Sequence, residues 1–405
     1  MIERLLYIPA FSEGWGRQMR FITGPRQSGK TTLAKQKLTR SHCENLYYLW
    51  DLRSVKNRYK EKQLFFTEDT PAKKTKQWVC FDEIHKIPKW KNILKGIFDS
   101  LFEHYQFIIT GSAKFNIIKQ AGDSLSGRYF TFHLFPLSLA ELASANKKSY
   151  TVPHTAKEHI AKVLDGSETR QELTPLLEFS GFPEPFEKQS KTFFSKWSQD
   201  YMDTIIKEDI SALTRIIQKD YLYDLYTLLP EMVGNPISEA SLASHLEISH
   251  TTVKNYLKRL ADFYLIFKIH PYARNIKRAI LKAPKCYIYN WSVIQDPGKR
   301  FENYVASELY ALINLWMDYT GDKYMLSFVR TKEKEETDFL IIKNKIPWLL
   351  VEAKLSDTSI AGHHYKIQSA LNNIPFVQIC RNDHICTIEK NNMFRISASK
   401  FFSYH

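Results

Sequence analysis

The sequence lacks the features of a membrane-spanning, secreted or disulfide-bonded protein. Its 405 residues contain no uninterrupted apolar run near the roughly 18 residues that a membrane helix needs. The N-terminal stretch MIERLLYIPAFSEGWG has no apolar segment flanked like a secretory signal, so we expect a cytoplasmic protein without membrane association. The five cysteines form no CxxC pair, which argues against a disulfide framework or a structural zinc site and fits a reducing compartment.

Composition excludes a disordered or low-complexity chain and indicates a polyanionic partner. Hydrophobic residues make up 44% and aromatic residues 14% of the sequence, enough for sizeable cores. At about 150 residues per domain, the length suggests two or three domains. Lys and Arg number 57 against 43 Asp and Glu, and the resulting net charge of +14 favours a partner such as nucleic acid.

A phosphate-binding loop is the strongest chemical signal in the sequence. Residues 20–23 (RFIT) have the pattern of a short strand, and the stretch TLAKQKL has that of a helix. Between them lies GPRQSGKT, which matches GxxxxGK[ST] in the required strand–loop–helix context. In such loops backbone N–H groups surround the phosphates, the lysine reaches the β- and γ-phosphates and the hydroxyl holds Mg²⁺. The predicted ATP-binding residues of this segment are Gly24, Pro25, Arg26, Gln27, Ser28, Gly29, Lys30, Thr31 and Thr32.

Two acids after a second strand complete the predicted ATP site. Residues 78–81 (WVCF) form a buried-strand pattern that ends in Asp82 and Glu83. Acids at the C-terminal end of a central parallel strand lie in the crevice where ligands bind. We predict that Asp82 helps to hold Mg²⁺ and that Glu83 activates the attacking water as general base. The alternative for such an acid pair is the capped start of a helix.

A third strand, residues 106–109, ends in a polar segment that predicts a γ-phosphate sensor, Ser112 or Thr110. Residues 45–49 and 128–134 supply further strands, and the order P-loop, extra strand, acid-pair strand, sensor strand is that of the additional-strand, catalytic-glutamate ATPases. Arg128 lies where an arginine finger is expected, which stabilises the transition-state charge of a γ-phosphate. An ordinary surface arginine at a strand start is the alternative.

The middle of the chain is predicted to be a helical lid over residues 139–222, followed by a winged helix over residues 223–283. Ser238 is a candidate cap for a helix that runs through His245, and a second helix is predicted from about 251 to 261. On that second helix, Val253, Tyr256, Leu257 and Leu260 form one apolar stripe. The opposite face is polar and basic, as in a DNA-reading helix-turn-helix.

Basic residues concentrate around this motif. Residues 254–285 contain nine basic side chains and one acid, Asp262. A solvated basic face is one alternative, and a winged helix that packs against protein or closes over an ATPase is another. The predicted nucleic-acid contacts are Thr251, Thr252, Lys254, Asn255, Lys258, Arg259, Arg274, Lys277 and Arg278.

The C-terminal part, residues 284–405, carries a nuclease-like pattern. Residues 337–342 (TDFLII) and 348–354 (WLLVEAK) are predicted strands. If they form a hairpin centred on Lys345, Asp338 lies directly opposite Glu352, and Lys354 points to the same face as Glu352. Two carboxylates of this kind hold Mg²⁺ or Mn²⁺, and the lysine polarises the attacking water.

Glu302 on a predicted amphipathic helix, residues 301–312, is a candidate third acid and metal ligand of that site. The pattern has two alternatives: a salt-bridged edge strand, and a nuclease fold that does not cut.

The motifs together resemble one protein family. The segments GPRQSGKTTL, CFDEIHKIPKWKNILKGIFD, TGSA, SGRYFTFHLFPLSLAEL, SGFPEPF, TDFLI and VEAKL are similar to bacterial and archaeal AAA-like ATPases fused to a C-terminal restriction-endonuclease-like domain of unknown function. The resemblance implies an α/β architecture: an AAA-type P-loop core over 1–138, a helical lid and winged helix, and a PD-(D/E)xK-like domain. Its motifs match this chain at Lys30, Thr31, Asp82, Glu83, Arg128, Glu302, Asp338, Glu352 and Lys354.

Two functions therefore compete. The first is a Mg²⁺-dependent ATPase that binds DNA and processes it through a metal-dependent nuclease-like domain. The second is an ATP-gated regulator that binds DNA or protein and whose nuclease-like domain is inactive. A nucleotide or small-molecule kinase shares the P-loop but explains neither the acid pair nor the basic C-terminal half. The sequence leaves the oligomeric state open, a homo-oligomer included.

Overall fold

The computed structural model describes residues 2–70, 76–111, 125–143, 150–210, 219–273 and 282–403. Four residues with predicted roles, Ser112, Arg274, Lys277 and Arg278, lie outside the described residues. The chain divides into two compact units: Arg4–Phe135, and Pro136–His405 together with Met1–Glu3.

The first unit is built around a parallel sheet. Its elements are α1 (Tyr7–Ala10), β1 (Met19–Thr23), α2 (Lys30–Arg40), β2 (Tyr47–Leu49), α3 (Arg53–Glu61), β3 (Gln77–Asp82), α4 (Trp90–Leu101), β4 (Tyr105–Thr110) and β5 (Tyr129–His133). The five strands lie in the order β2-β3-β4-β1-β5, and every neighbouring pair is parallel. This is the sheet of an AAA-type P-loop core, which confirms the predicted fold class.

Burial explains why these segments form central strands. All five residues of β1 are buried, and β3 and β4 each expose only part of one residue. Continuous apolar runs of this kind are typical of parallel strands that are covered on both faces. Parallel strands also align their C-terminal ends, so the loop after β1 and the acids after β3 come to one edge of the sheet.

The helical part of the second unit follows the first sheet in sequence. It contains α5 (Leu139–Ala143), α6 (Ala156–Asp165), α7 (Leu173–Phe179), α8 (Pro183–Lys188), α9 (Lys191–Asp203) with a π-helical continuation (Thr204–Ile210), and α10 (Lys219–Met232). The structure thus bears out the predicted helical character of this region within the described residues.

A helix-turn-helix comes next, formed by α11 (Glu239–His245) and α12 (His250–Asp262). Serine caps start both helices: Ser238 Oγ accepts the N–H of Ser241, and Ser249 Oγ accepts the N–H of Thr252. The apolar stripe of the second helix is buried as predicted, with Val253 and Leu260 fully enclosed.

A β-hairpin links this motif to the C-terminal sheet. Strand β6 (Ile266–Pro271) pairs antiparallel with β7 (Lys285–Ile288), and the residues between them lie mostly outside the described part. The hairpin therefore crosses the predicted domain boundary at residues 283–284. The second strand of this hairpin is Lys285–Ile288, a segment that the sequence analysis placed in the C-terminal domain.

The C-terminal elements are α13 (Pro297–Thr320), β8 (Tyr324–Arg330), β9 (Glu336–Lys343), β10 (Ile346–Lys354), α14 (Gly362–Ala370), β11 (Phe376–Cys380), β12 (Cys386–Ile388), β13 (Met393–Ser397) and α15 (Ala398–Phe401). With the hairpin they form an eight-stranded mixed sheet in the order β12-β13-β11-β10-β9-β8-β6-β7. Strands β8, β9 and β10 are antiparallel neighbours, whereas β11 lies parallel to β10.

Helix α13 has strong start and stop signals. Asp296 caps it by accepting the N–H of Lys299, Pro297 occupies the first turn, and Gly321 follows with a φ of +74°. The helix is twice as long as the predicted segment 301–312 because these signals lie outside the apolar pattern. On α14, Ile367 packs into a core with Leu340, Leu350 and Phe376.

Within the described residues, no helix combines the length and the apolar character that a membrane crossing requires.

Candidate nucleotide site and carboxylate cluster

The loop after β1 has the geometry that its glycines predict. Gly24 has a φ of +145°, and a Cβ there would lie 1.9 Å from the carbonyl oxygen of Leu134, so no other residue fits. Ser28 Oγ donates to the same carbonyl oxygen at 3.1 Å. Gly29, with a φ of +95°, precedes α2. The nine predicted ATP-contacting residues thus form one continuous loop and the first turn of α2.

Lys30 lies within this loop. Its ammonium donates to the carbonyl oxygens of Gly24 at 3.0 Å and Pro25 at 2.5 Å, and the residue is 8% exposed. These carbonyl groups belong to the turn that the phosphates would enter. The lysine is therefore held at the position from which it would bind them.

The carboxylate of Asp82, at the end of β3, accepts three side-chain hydrogen bonds. Its Oδ2 accepts the hydroxyls of Thr31 at 2.8 Å and Tyr47 at 2.6 Å, and its Oδ1 accepts that of Thr110 at 2.5 Å. The hydroxyl of Thr31 and the carboxylate are oxygen donors of the kind that Mg²⁺ prefers. This pair fits the ion that accompanies a nucleotide.

Tyr47 was not predicted from the sequence. It lies on β2, and burial together with its hydrogen bond to Asp82 raises the pKa of its hydroxyl well above the usual range. The hydroxyl therefore stays protonated and acts as a donor. The sequence offered one signal for this contact, a tyrosine on the extra strand predicted over residues 45–49. In the structure this strand, β2, is the parallel neighbour of β3, which ends in Asp82.

Glu83 follows Asp82 in a left-handed backbone conformation, with a φ of +61°. Its Oε2 lies 3.3 Å from Nε2 of His85 and 3.5 Å from Nζ of Lys86, and Lys86 also pairs with Asp51. The carboxylate is thus turned toward the short helical segment that follows β3, whereas the carboxylate of Asp82 faces Thr31.

Arg128 lies at the other end of the sheet from the phosphate loop. Strands β1 and β5 are parallel, with Met19 opposite Tyr129 and Thr23 next to the loop. Thr23 is four residues beyond Met19, which corresponds to about 13 Å along the strand. The guanidinium makes two hydrogen bonds to Asp99, at 2.7 and 3.0 Å. If this arginine stabilises a γ-phosphate, that phosphate is bound by another copy of the chain.

The outer face of α12 presents the predicted nucleic-acid contacts. Thr251, Lys254, Asn255 and Lys258 are exposed, and Thr252 and Arg259 are partly exposed. Arg259 lies 3.6 Å from Asp262. The structure thus gathers these six predicted residues on one side of one helix.

The hairpin of β9 and β10 has the predicted register near its acids. Leu349, Leu350 and Val351 pair with Ile341, Leu340 and Phe339, which are the partners expected for a hairpin centred on Lys345. A bulge between Pro347 and Leu349 shifts the register by one residue near the turn.

One hydrogen bond joins Asp338 to Glu352, and a second joins Asp338 to the next residue of β10. The N–H of Asp338 donates to Oε2 of Glu352 at 3.1 Å, and the N–H of Ala353 donates to Oδ2 of Asp338 at 3.0 Å. Oε1 of Glu352 accepts Nζ of Lys354 at 2.7 Å. The structure therefore brings together the three residues that the sequence predicted for the C-terminal site.

Glu352 is 5% exposed, and burial and the nearby Asp338 raise the pKa of its carboxyl. Burial also raises the pKa of Glu302, with Asp338 as the next contribution. The nearby Glu352 raises the pKa of Lys354 against the opposing effect of burial.

Lys285, which the sequence analysis counted only among the basic residues, is central to this cluster. Its Nζ lies 2.6 Å from Glu336, 3.3 Å from Glu302 and 3.6 Å from Asp338, and its side chain is 1% exposed. Oε1 of Glu302 also accepts the hydroxyl of Tyr287 at 2.8 Å. Burial lowers the pKa of Lys285, but the three carboxylates outweigh this and raise it above the usual range.

The predicted metal ligands are therefore not arranged around a common point. Among the described residues, no three His, Cys, Asp or Glu side chains are placed to hold one metal ion. Glu302 reaches Asp338 through the ammonium of Lys285, not through a shared cation site. Carboxylate oxygens suit Mg²⁺ or Mn²⁺ chemically, and Asp338 with Glu352 is the pair that could hold such an ion.

His364 on α14 is a further residue that the sequence did not indicate. Its Nε2 lies 3.7 Å from Oε1 of Glu352, and its Nδ1 lies 2.9 Å from the hydroxyl of Thr337. Burial lowers the pKa of this imidazole to about 3, so it is neutral beside the acid.

Three family models match successive parts of the chain. Residues 16–143 match the model of an AAA domain. The first unit is an AAA-type P-loop domain. Models of two domains of unknown function, DUF8612 and DUF4143, match residues 170–295 and 297–400.

The curated relatives are uncharacterized proteins. One, from Mycobacterium tuberculosis, is 23% identical over 355 residues, which cover 84% of this chain and 71% of that protein. Another, from Haemophilus influenzae, is 24% identical over 304 residues, which cover 71% of each chain.

Solved structures similar to this chain include the Orc1 protein of Aeropyrum pernix in complex with DNA, with 13% identity and a TM-score of 0.29 over 73% of this chain and 88% of that one. The clamp loader delta protein of Bacillus subtilis has 10% identity and a TM-score of 0.26, over 78% and 99%. Likenesses at this level carry no argument about function, so the function is argued from the AAA domain and the side chains.

Proposed function

We propose that this protein hydrolyses ATP at the P-loop of its AAA domain and binds DNA through its helix-turn-helix. The observation that carries the ATPase proposal is the hydrogen bond of 2.8 Å between Thr31 and Asp82, with Glu83 as the next residue. It supports the proposal because a hydroxyl and a carboxylate, which are ligands that Mg²⁺ prefers, lie side by side, with a second acid available as a base.

Each residue of the AAA domain has a distinct task in this proposal. The loop N–H groups and Lys30 bind the phosphates. Thr31 and Asp82 hold the Mg²⁺, which neutralises charge on the transferred phosphate. Glu83 takes a proton from the attacking water, for which its carboxylate must leave His85 and Lys86 and turn toward the nucleotide.

ATP turnover in the presence of Mg²⁺ tests this part. Lys30→Ala should abolish turnover and nucleotide binding together, because it removes the charge that holds the phosphates. Lys60→Ala, at an exposed position on α3 of the same unit, is the matched control and should behave like wild type. Unchanged turnover in Lys30→Ala would contradict the proposed site.

DNA is the partner that the exposed side of α12 favours. Hydroxyls, an amide and cations lie together on one helix after a tight turn, and such groups contact phosphates and base edges. The chain's net charge of +14 points the same way. A protein partner is the alternative, in the form of an ATP-gated regulator.

Salt dependence of DNA affinity separates these two partners. The double variant Lys254→Ala/Lys258→Ala should weaken DNA binding and reduce the slope of log affinity against log salt by about 0.9 for each lost phosphate contact. The control is Lys196→Ala/Lys366→Ala, which removes two other exposed lysines and the same charge. Equal affinities and slopes for both variants would favour a protein partner.

A second candidate activity is metal-dependent cleavage of DNA by the C-terminal domain. The observation that favours it is the placement of Asp338, Glu352 and Lys354 within hydrogen-bond distance of one another on β9 and β10. This candidate includes the restriction-endonuclease-like fold that the sequence resemblance implies for residues 284–405.

Cleavage of linear, circular and single-stranded DNA with Mg²⁺ or Mn²⁺, with and without ATP, tests this activity. Lys354→Ala should abolish cutting, whereas Lys343→Ala, a lysine on β9 that pairs with Asp322 instead, should not. An ATPase that cuts none of these substrates would favour the regulator with an inactive C-terminal domain.

An arginine finger would require a homo-oligomer. Because Arg128 lies at the far end of the sheet from the P-loop of its own chain, it can act only on the nucleotide of a neighbouring copy. Mixing the two inactive variants Arg128→Ala and Lys30→Ala should then restore part of the turnover, because the Arg128→Ala chain keeps its P-loop and a Lys30→Ala neighbour supplies Arg128. Mixed oligomers without any turnover would contradict an arginine finger that acts on a neighbouring copy.

A further inference from the structure

Lys285 is a buried cation that the proposed reactions do not use. It enters the carboxylate cluster from β7, a strand of the hairpin that follows the helix-turn-helix, whereas Glu302 comes from α13 and the other two acids from β9. Its ammonium has contacts of 2.6 to 3.6 Å with Glu336, Glu302 and Asp338, and its side chain is 1% exposed.

The contacts divide the oxygens of Asp338 between two neighbours. Oδ1 faces Lys285 at 3.6 Å, and Oδ2 accepts the N–H of Ala353 at 3.0 Å. Oε1 of Glu302 faces both Lys285 and Tyr287. The ammonium thus occupies the place at which Glu302 and Asp338 could both reach one ion.

We propose that the Lys285 ammonium is the resident cation between Glu302 and Asp338, and that it excludes a divalent ion from this place. Any Mg²⁺ or Mn²⁺ of the C-terminal domain is then held by Asp338 and Glu352, and Glu302 is a positioning residue that acts through Lys285. This inference concerns the ligand set of the proposed metal-dependent site and rests on that proposal.

The physical reason is charge. An ammonium and a divalent ion among the same carboxylates would repel each other at short range in a buried setting, where water screens charge weakly. Lysine cannot retreat into solvent from a position that is 1% exposed without moving β7. The position between Glu302 and Asp338 can therefore hold the ammonium or a metal ion but not both, and in this chain Lys285 fills it.

Counting bound Mn²⁺ in the full-length protein tests the proposal. Free Mn²⁺ is followed by electron paramagnetic resonance during titration without nucleotide, and every protein carries Asp82→Asn to silence the P-loop site. Lys285→Met should bind one more Mn²⁺ per chain than the parent, and Lys285→Met/Glu302→Gln should lose that ion again. Lys285→Arg, which keeps a cation, and Lys343→Met, which removes a lysine elsewhere on β9, should match the parent.

Two results would overturn the inference: a folded Lys285→Met protein that gains no Mn²⁺, or a gained ion that persists without Glu302. If Lys285→Met does not fold, Lys285→Met/Glu336→Gln removes one of the acids left without a partner and keeps Glu302 and Asp338 for the same count.

The parent protein reports separately on the proposed C-terminal metal site. If it binds no Mn²⁺ that Asp338→Asn removes, that site is wrong, while the gain in Lys285→Met still decides the role of the lysine. The two failures are therefore distinguishable in one set of titrations.

Discussion

The acidic clusters of the AAA domain and of the C-terminal sheet hold their carboxylates with different partners. In the AAA domain, Asp82 accepts three hydroxyls, and Lys30 donates to carbonyl oxygens of its own loop. In the C-terminal cluster, Lys285 and Lys354 pair directly with carboxylates.

The difference separates a site whose partners are neutral groups from one whose carboxylates are paired with the chain's own ammonium groups. Neutral hydroxyls and carbonyl groups can be replaced by a phosphate or a metal ion without leaving an unpaired buried charge. An ammonium that is removed from a buried carboxylate leaves an uncompensated charge, which is costly. The proposed nucleotide site is therefore suited to receive a charged ligand. In the C-terminal cluster, the chain's own lysines already occupy positions beside the carboxylates.

The largest expected effect tests the chemistry of the first site. Glu83→Gln should lower ATP turnover by about 10²- to 10⁴-fold, the usual contribution of a positioned general base, while ATP affinity stays within a few-fold of wild type. Phosphate release and the binding of a fluorescent ATP analogue measure the two quantities. Glu103→Gln, at an exposed position, is the control. Normal turnover in Glu83→Gln would assign the base elsewhere.

The second prediction compares the two lysines directly. Lys285→Met should destabilise its unit by about 3–5 kcal/mol, because it leaves buried carboxylates without their cation. Lys30→Met should cost less than Lys285→Met, because the carbonyl groups of Gly24 and Pro25 that lose a donor carry no charge. Urea unfolding followed by circular dichroism measures both. Equal losses of stability would show that Lys30 and Lys285 do not differ in the charge of the groups they hold.

The sequence predicted the first site better than the second because its signals are local. A P-loop, its flanking strand and helix, and the acids after a buried strand all lie in short continuous segments, and the sheet edge brings them together. The helix-turn-helix was equally local, since Ser238 and Ser249 cap helices whose apolar stripe is visible in the sequence.

The C-terminal cluster depends on contacts between separate strands and a helix, which no short stretch of sequence reveals. The hairpin placed Asp338 opposite Glu352, but the pairing of β6 with β8 is what carries β7 and its lysine toward this sheet. Glu336, His364 and the strands β8 and β11–β13 were likewise missed. The contacts of Glu336 with Lys285 and of His364 with Glu352 join different elements of the fold, so hydrophobic periodicity alone could not reveal them.

Glu308 extends the comparison to an acid whose contribution to the free energy of unfolding depends on pH. Glu308, on α13, accepts the N–H of Leu139 at 2.9 Å, and burial raises its pKa from 4.5 to about 8. Its neutral form therefore favours folding: this contribution is complete below about pH 4.5 and is lost as the pH rises toward 8.

The stability difference between wild type and Glu308→Gln should consequently change by about 1.4 kcal/mol per pH unit over that interval, with wild type losing stability relative to the variant. Urea unfolding at several pH values measures it, and the other acids cancel because both proteins contain them. A constant difference would contradict the raised pKa.

The smallest expected effect concerns Tyr47, whose hydroxyl donates a hydrogen bond to Asp82. Tyr47→Phe keeps the ring that Lys35 overlies at 4.6 Å and removes the hydrogen bond of 2.6 Å. A single such bond contributes about 0.5–1.5 kcal/mol, so the Mg²⁺ concentration for half-maximal ATP turnover should rise about 2- to 10-fold. The maximal rate should hardly change, because Thr110 still orients the carboxylate and bound Mg²⁺ restores its position. Tyr48→Phe is the matched control, since the hydroxyl of Tyr48 bonds Asp69 instead. A fall in the maximal rate with an unchanged Mg²⁺ requirement would mean that Tyr47 acts on the nucleotide directly, and the first site would then depend on more than exchangeable hydroxyls around one acid.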